Sequence, residues 1–395
     1  MKVAFVFGGM PHYIVKLLNT IQEMGIEVIA IVPKGKGKTI GSGVHQTFDG
    51  AKFQVVFLEE YNAFYGKPFF KGIFKALQQH QVNALVLGWP YFLALLFNPF
   101  FRGQLKHINC KVFAREIPFT VPLYTDTLTS FSEKCVEAQK TEKLFSSPLL
   151  FKLHQWVRKY LYSHVVDHAL VYTEQGVDIL SSYGISKQNI TVTYNSPDTE
   201  AILHTIDTLK LKGEIPSKHP HKVLHVGRLV AWKKVDDLIR VVVSLKGKIT
   251  DIELDIVGDG PELENLKTLV NSLDASSYIQ FKGAVYEGET LSKLFLGSGV
   301  YVLAGMGGLS INEAMTHSLP VICSVADGTE KHLVYEGVNG YYFTDGDANS
   351  LKGAIEKMCS SDMATMGDAS LKIIQERINL RQVAQHFVSA FQAKN

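Results

Sequence analysis

Apolar residues along this chain come in short unbroken runs. Val3–Phe7 (VAFVF), Val28–Val32 (VIAIV), Phe53–Leu58 (FQVVFL), the ALVL within Asn83–Trp89, Lys111–Glu116 (KVFARE) and Ala169–Thr173 each read as a strand. Runs of this length bounded by Gly, Pro or Asn suit strands buried on both faces, the pattern of a parallel sheet covered by helices. Between the first two runs, His12 to Met24 has helical spacing and leads through Gly25, so the chain opens as a βαβ unit. A strand, helix and strand follow to the turn Asn195–Asp198, and then a polar helix and KGEIPSKHPH, rich in Lys, Pro and His. That stretch predicts a domain boundary near 200–218, hence an N-terminal domain over 1–205 and a second over 206–375.

The second half restarts the pattern. Strands are predicted up to Val226, over IELDIV, over Tyr278–Gly283, over Tyr301–Ala304 and after Pro320. Two amphipathic helices follow from about Asp368 to Lys394, with Leu380, Val383, Phe387, Val388 and Phe391 apolar. The last of them, 376–395, is set apart as a terminal helix. The fold class is therefore α/β, built from two Rossmann-like domains.

Composition narrows the function classes. With 395 residues and 46% hydrophobic content the chain can fill two cores. Cys110, Cys135, Cys323 and Cys359 show no CxxC pair, so neither a metal site nor a disulfide framework is expected, and a cytoplasmic location fits. Met1-Lys2 passes directly into a strand-like run without a small-residue cleavage site, which predicts a first strand where a signal peptide would differ. Gln81–Phe101 lacks charge but is broken by Gly88, Pro90, Asn98 and Pro99, so a strand and a helix are expected there and not a membrane span. Residues 1–205 carry 20 Lys and Arg against 15 Asp and Glu, whereas the remainder carries 20 against 23. The first half is the basic one, and no nucleic acid partner is expected.

Candidate chemistry gathers at strand ends. Tyr301–Ser324 reads as strand, glycine turn (Gly305, Gly307, Gly308), helix from about Leu309 and strand; such a loop lets N–H groups approach a diphosphate, and Glu313, one turn on, can accept from sugar hydroxyls. A packing loop with a solvated Glu is the alternative. Gly227-Arg228 and then Lys233 place two cations near one strand tip, as a diphosphate needs. Asp259-Gly260-Pro261 reads as a turn and helix start. In the first half, Arg115 and Glu116 end a strand where open α/β sheets face a crevice, as a site or as a structural ion pair. Gly8 and Gly9 close the first strand and are candidate ligand-binding positions, although GGMPH is not GxGxxG. Lys34–Gly43 is either an anion cradle or a solvated loop. From Lys140 to Tyr162 basic residues alternate with apolar ones, and Leu149, Leu153, Trp156 and Tyr160 share a helical face, for core packing or for a membrane surface.

Five segments, GRLVAWKK, IVGDGPELENL, FKGAV, GGLSINEAMTHSLPVICS and EGVNGYYF, occur in this order at spacings that resemble the large retaining, family 4-like glycosyltransferase family of the GT-B fold. VDHALVYTEQ and YNSPDTE are similar to the end of that family's N-terminal domain. The resemblance is specific over about 165–390. It implies two domains facing each other across a cleft, with the C-terminal helix crossing back to the N-terminal domain. It further implies that Arg228 and Lys233 hold the donor diphosphate, that the backbone at Gly307, Gly308, Leu309 and Ser310 covers phosphates and sugar, that Glu313 binds ribose, and that Gly283 to Val285 read the base. The donor would be a nucleotide-diphosphate sugar, UDP or GDP, with no separate cofactor and no metal, and the acceptor a sugar or lipid-linked sugar on the basic first domain, at the inner face of a membrane.

The sequence departs from the family twice. Gly305 stands where the family has its first glutamate, eight positions before Glu313, and the N-domain histidine is absent, with Arg115 and Glu116 at the equivalent tip. Both departures concern sugar and acceptor. In the family the acceptor attacks from the face of the departing phosphate, which takes the proton; Arg228, Lys233 and the helix mouth would stabilise the charge that develops. Two other classes stay open: a catalytically silent nucleotide-sugar-binding paralogue, and a two-lobed small-molecule binding protein.

Overall fold

The computed structural model describes residues 1–35, 39–40, 44–63, 66–89, 91–116, 121–128, 148–326 and 328–393. The chain forms two compact units, Met1–Tyr194 with Arg381–Asn395, and Asn195–Leu380.

In the first unit the predicted runs become parallel strands: β1 (Lys2–Val6), β2 (Glu27–Pro33), β3 (Gln54–Leu58), β4 (Ala84–Leu87), β5 (Lys111–Glu116), β6 (His168–Val171) and β7 (Ile190–Val192). Their order in the sheet is β7-β6-β5-β4-β1-β2-β3. Helices α1 (His12–Glu23), α2 (Ile73–Gln79), α3 (Pro99–His107), α4 (Pro148–His164) and α5 (Gln175–Ser182) connect them. Every residue of β4 and β6 is buried, which is why these strands carry no polar alternation.

The second unit holds β8 (His219–Val226), β9 (Glu253–Val257), β10 (Ile279–Gly283), β11 (Ser298–Leu303), β12 (Val321–Cys323) and β13 (Gly340–Tyr342) in the order β10-β9-β8-β11-β12-β13, all parallel. Its helices are α6 (Thr199–Lys212), α7 (Val235–Leu245), α8 (Leu263–Ser272), α9 (Gly288–Leu296), α10 (Ser310–Thr316), α11 (Ala348–Cys359) and α12 (Met363–Arg377). On α7, Val235, Leu238, Ile239, Val241, Val242 and Leu245 are buried, a helical apolar stripe that packs on the sheet.

The boundary expected at 205/206 falls inside α6. Asp198 caps that helix through the Ala201 N–H, and α6 packs on α9 and α10, so it belongs to the second unit. At the C-terminus, α13 (Leu380–Gln392) inserts Phe387 and Phe391 into the first unit, where Phe391 lies 5.9 Å from Phe5 and 5.1 Å from Phe113, edge to face. The uncharged stretch Gln81–Phe101 folds as β4, a short helical turn and the start of α3; among the described residues no helix is long and apolar enough to cross a membrane.

Of the two readings of the Leu149, Leu153, Trp156 and Tyr160 face, core packing is excluded. Leu149, Leu153 and Trp156 are 76%, 54% and 58% exposed, and the core side of α4 is instead Phe151, Gln155, Arg158, Leu161 and Tyr162. Two polar side chains, Gln155 and Arg158, are thus part of the buried side. Lys140, Lys143 and Phe145 of that run, and much of the Lys34–Gly43 loop, lie outside the described residues.

Candidate active site

In both sheets the chain direction of winding reverses between two neighbouring strands, β1 and β4 in the first and β8 and β11 in the second. Ligands of open α/β sheets bind beyond the carboxyl ends of strands at such a point. Most of the candidate residues gather at these two places, one in each unit, whereas Gly283 to Val285 follow the edge strand β10.

In the second unit β8 ends at Val226 and passes into Gly227-Arg228, while β11 ends at Leu303 and passes into the glycine turn. The Arg228 guanidinium lies 5.8 Å from the centre of the half-exposed Trp232 ring. Lys233 is buried, and its ammonium donates to the carbonyls of Met306 at 2.7 Å and Gly307 at 2.8 Å. It therefore holds the glycine turn against the β8 turn as well as lending it positive charge. The Met306 N–H donates to the Trp232 carbonyl at 3.1 Å in the same contact.

Gly305 explains itself here. A Cβ at this position would stand 2.2 Å from the Trp232 carbonyl oxygen and 2.8 Å from the Lys233 Cα. Its φ is not in the left-handed region. The glycine is required by close backbone approach, so a glutamate cannot occupy this position without moving the Trp232–Lys233 backbone. Gly258 serves the neighbouring turn in both ways: its φ is +145°, and a Cβ there would fall 1.8 Å from the Gly227 carbonyl oxygen.

The helix mouth is fixed by a residue that the sequence reading missed. Tyr301 in β11 is buried, and its hydroxyl lies 3.2 Å from the Val226 carbonyl and 2.7 Å from Ser310 Oγ, tying the end of β8 to the first residue of α10. A polar tip on a strand otherwise read as apolar was the available signal. His225 was missed as well. It is fully buried beside Gly227, with Nδ1 3.1 Å from the Val302 carbonyl, and burial above all holds its pKa down at about 4, so it is neutral. Because a carbonyl only accepts, Nδ1 carries the proton.

Leu309 is the N-cap of α10, and the Glu313 N–H donates to its carbonyl at 3.0 Å. The Glu313 side chain is half-buried and, among the described residues, has no hydrogen-bonding or ionic partner. Burial pushes its pKa up to about 7. A carboxyl poised between its two forms near neutrality can accept from one hydroxyl and donate to another, as a vicinal diol offers. Gly283 ends β10 with φ +69°, and its carbonyl takes the Gly258 N–H at 2.8 Å; Val285 follows two residues on, half-buried.

In the first unit a cavity of about 380 Å³ opens at the β1/β4 reversal, lined among others by Gly8, Trp89, Tyr91, Arg115, Glu116 and Tyr172. Gly9 is not in its lining. Arg115 and Glu116 do not pair with each other, because successive strand residues point to opposite faces. The Arg115 guanidinium lies 5.9 Å from the Phe7 ring centre and 5.1 Å from that of Tyr172. Glu116 is buried on the α4 side; burial raises its pKa, and the nearby Arg158 and Tyr162 hydroxyl act against that rise. Among the described residues, one Glu116 oxygen and the Arg115 Nε are buried without a hydrogen-bond partner. Arg158 in turn lies 4.5 Å from the Trp89 ring centre. A buried carboxyl, a guanidinium and aromatic walls around a cavity form a place for hydroxyl groups on a ring with apolar faces.

Comparison with known structures identifies the fold. Anabaena HepE in complex with UDP superposes with a TM-score of 0.69 at 16% identity, covering 99% of both chains, and the fold is GT-B. Residues 207–375 match the family model Glycosyl transferases group 1, so this part of the chain carries that domain. An uncharacterised glycosyltransferase of Methanocaldococcus jannaschii is 24% identical over 260 residues, 64% of this chain and 65% of that protein. A sulfoquinovosyl transferase of Arabidopsis thaliana is 25% identical over 179 residues, 44% of this chain and 33% of that protein. The chain thus spans less than two-thirds of the length of these relatives.

Proposed function

We propose that this protein transfers a sugar from a nucleoside-diphosphate sugar to a hydroxyl acceptor, with retention at the anomeric carbon and without a metal, in the assembly of a polysaccharide or lipid-linked glycan. The observation that carries this reading is the convergence of Arg228, Lys233, the glycine turn and Glu313 at the strand-order reversal of the group 1 domain. A uridine or guanosine diphosphate sugar is the donor class; the UDP held by HepE supports uridine.

In the proposed step the bond from the anomeric carbon to the diphosphate breaks, the acceptor oxygen bonds to that carbon on the same face, and the acceptor proton passes to the departing phosphate. Negative charge grows on the diphosphate as the bond breaks. Arg228, Lys233 and the N–H groups at the mouth of α10 interact more strongly with that charge than with the ground state, which lowers the barrier. Glu313 positions the ribose, and the backbone from Gly283 to Val285 reads the base. The first unit's cavity, with Arg115, Glu116 and Trp89, takes the acceptor.

The acceptor side meets a membrane surface in this reading. The exposed Leu149, Leu153 and Trp156 stand with Lys152 and Lys159 on α4, and Phe100 on α3 is 83% exposed. Sedimentation with vesicles tests that part, and pelleting should fall at high salt.

A second reading, nucleotide-sugar binding without turnover, is favoured by Gly305 in place of a sugar-contacting carboxylate. Incubation with UDP-, GDP-, ADP- and dTDP-sugars decides between the two. Thermal protection together with slow release of the nucleoside diphosphate supports the enzyme, protection without release supports the silent binder, and neither effect refutes the donor site.

A further inference from the structure

A groove of about 870 Å³ lies at the other end of the first unit's sheet, where α3 and α4 finish and β5 begins; its lining includes Arg102, Lys106, Lys111, Tyr160, His164 and Asp167. At roughly 3.3 Å per residue, the six residues of β5 put Lys111 about 17 Å from the strand tip that carries Glu116. The groove is therefore separate from the cavity that takes the acceptor.

Its charge is unbalanced. Four lysines elsewhere on this unit stand against carboxylates, Lys2 with Glu27 at 2.9 Å, Lys52 with Glu23 at 2.7 Å, Lys71 with Glu59 at 2.8 Å and Lys187 with Asp178 at 2.8 Å, while among the described residues the exposed Lys34, Lys75 and Lys152 stand singly and apart from the groove lining. Arg102, Lys106 and Lys111 have no acidic partner among the described residues. The carboxylate in the lining, Asp167, is engaged by the Val112 N–H at 2.7 Å. The Arg102 Nη1 donates to the Tyr160 hydroxyl at 3.5 Å. The rings of Trp156, Tyr160 and His164 stack in sequence along α4, with centres 6.4 and 4.8 Å apart, so Tyr160 and His164 form an aromatic wall beside the cations.

We propose that this groove binds a phosphate-bearing ligand, with Arg102 forking two phosphate oxygens, Lys106 and Lys111 adding point charge, and the aromatic wall covering the group that carries the phosphate. The phosphate can belong to a lipid headgroup or to a soluble compound. The proposal does not depend on the donor reading, because its test compares phosphate binding with and without the groove cations while the donor site is the same in every protein.

The test uses the intact protein with two probes: tripolyphosphate in solution, and vesicles of phosphatidylglycerol and phosphatidylcholine by sedimentation. Wild type is compared with the triple variant Arg102→Gln, Lys106→Gln, Lys111→Gln, and with a control of equal charge loss, Lys52→Gln, Lys71→Gln, Lys187→Gln. Removing three cations that face a phosphate should weaken binding about a hundredfold, while the control keeps wild-type binding. Loss confined to the vesicles identifies a headgroup as the source; loss confined to tripolyphosphate identifies a soluble phosphate. Equal binding of both probes by wild type and groove variant, equal losses in groove variant and control, or no binding by wild type overturns the proposal.

Discussion

Replacing Gly305 by alanine adds one methyl group where the structure has none to spare. The new Cβ would sit 2.2 Å from the Trp232 carbonyl oxygen, and an acceptable carbon–oxygen contact is nearer 3.3 Å, so the two turns must separate by roughly 1 Å. That movement stretches the bond from the Met306 N–H to the Trp232 carbonyl and those from the Lys233 ammonium to Met306 and Gly307. Overpacking costs about 1 to 3 kcal/mol, and loss of a hydrogen bond to a charged group about 1.5 to 3 kcal/mol. The second unit should therefore lose about 2 to 4 kcal/mol, and donor binding should weaken with it. Urea unfolding followed by Trp232 fluorescence, in a background carrying Trp89→Phe and Trp156→Phe, reads that unit; Gly353→Ala is the control, since a Cβ in that helix meets nothing within 4 Å. The control should gain about 0.5 to 1 kcal/mol from helix propensity. Gly305→Glu should behave like Gly305→Ala and not create a better enzyme. A Gly305→Ala protein with the wild-type midpoint would refute the reasoning.

Three further outcomes are expected. Glu313 has its pKa raised from 4.5 to about 7, so the folded state holds the extra proton, and the resulting stability is present below about 4.5 and lost as pH rises through about 7. Glu313→Gln should flatten that slope, a change of at most on the order of 3 kcal/mol in pH-dependent unfolding, and weaken nucleotide binding. Tyr301→Phe removes the hydroxyl between Val226 and Ser310 and should cost about 1 kcal/mol in stability, with a larger effect on donor KM than on the fold by calorimetry. Phe391→Ala empties a position between Phe5 and Phe113 and should destabilise the first unit by about 3 to 5 kcal/mol in denaturant titration, leaving nucleotide protection of the second unit in place.

The strands were legible because parallel sheets bury both faces: runs such as Val28–Val32 and Lys111–Glu116 appear as strands within a residue or two of the expected ends. The glycine turn and Glu313 were legible through spacing, and β8, β11 and α10 bring them together. The boundary was not, since α6 is polar on much of its surface and its packing on α9 and α10 leaves little trace in a local window. The face of α4 was left with two readings for a related reason. Periodicity tells which residues share a face but not which face meets the core, and Gln155 and Arg158 are buried while Leu149 is not. Why Gly305 stands in place of a glutamate was illegible because the constraint comes from the Trp232 carbonyl, 73 positions away.

The most direct measurement is nucleoside diphosphate release from the donor panel by wild type, Arg228→Ala and Lys233→Ala. The account predicts that at least one UDP- or GDP-sugar is turned over, and that each variant is slower by the ~2 to 4 kcal/mol that one charged contact to the leaving group supplies, about thirtyfold to a thousandfold. Release from no donor, or equal release by all three proteins, would contradict it.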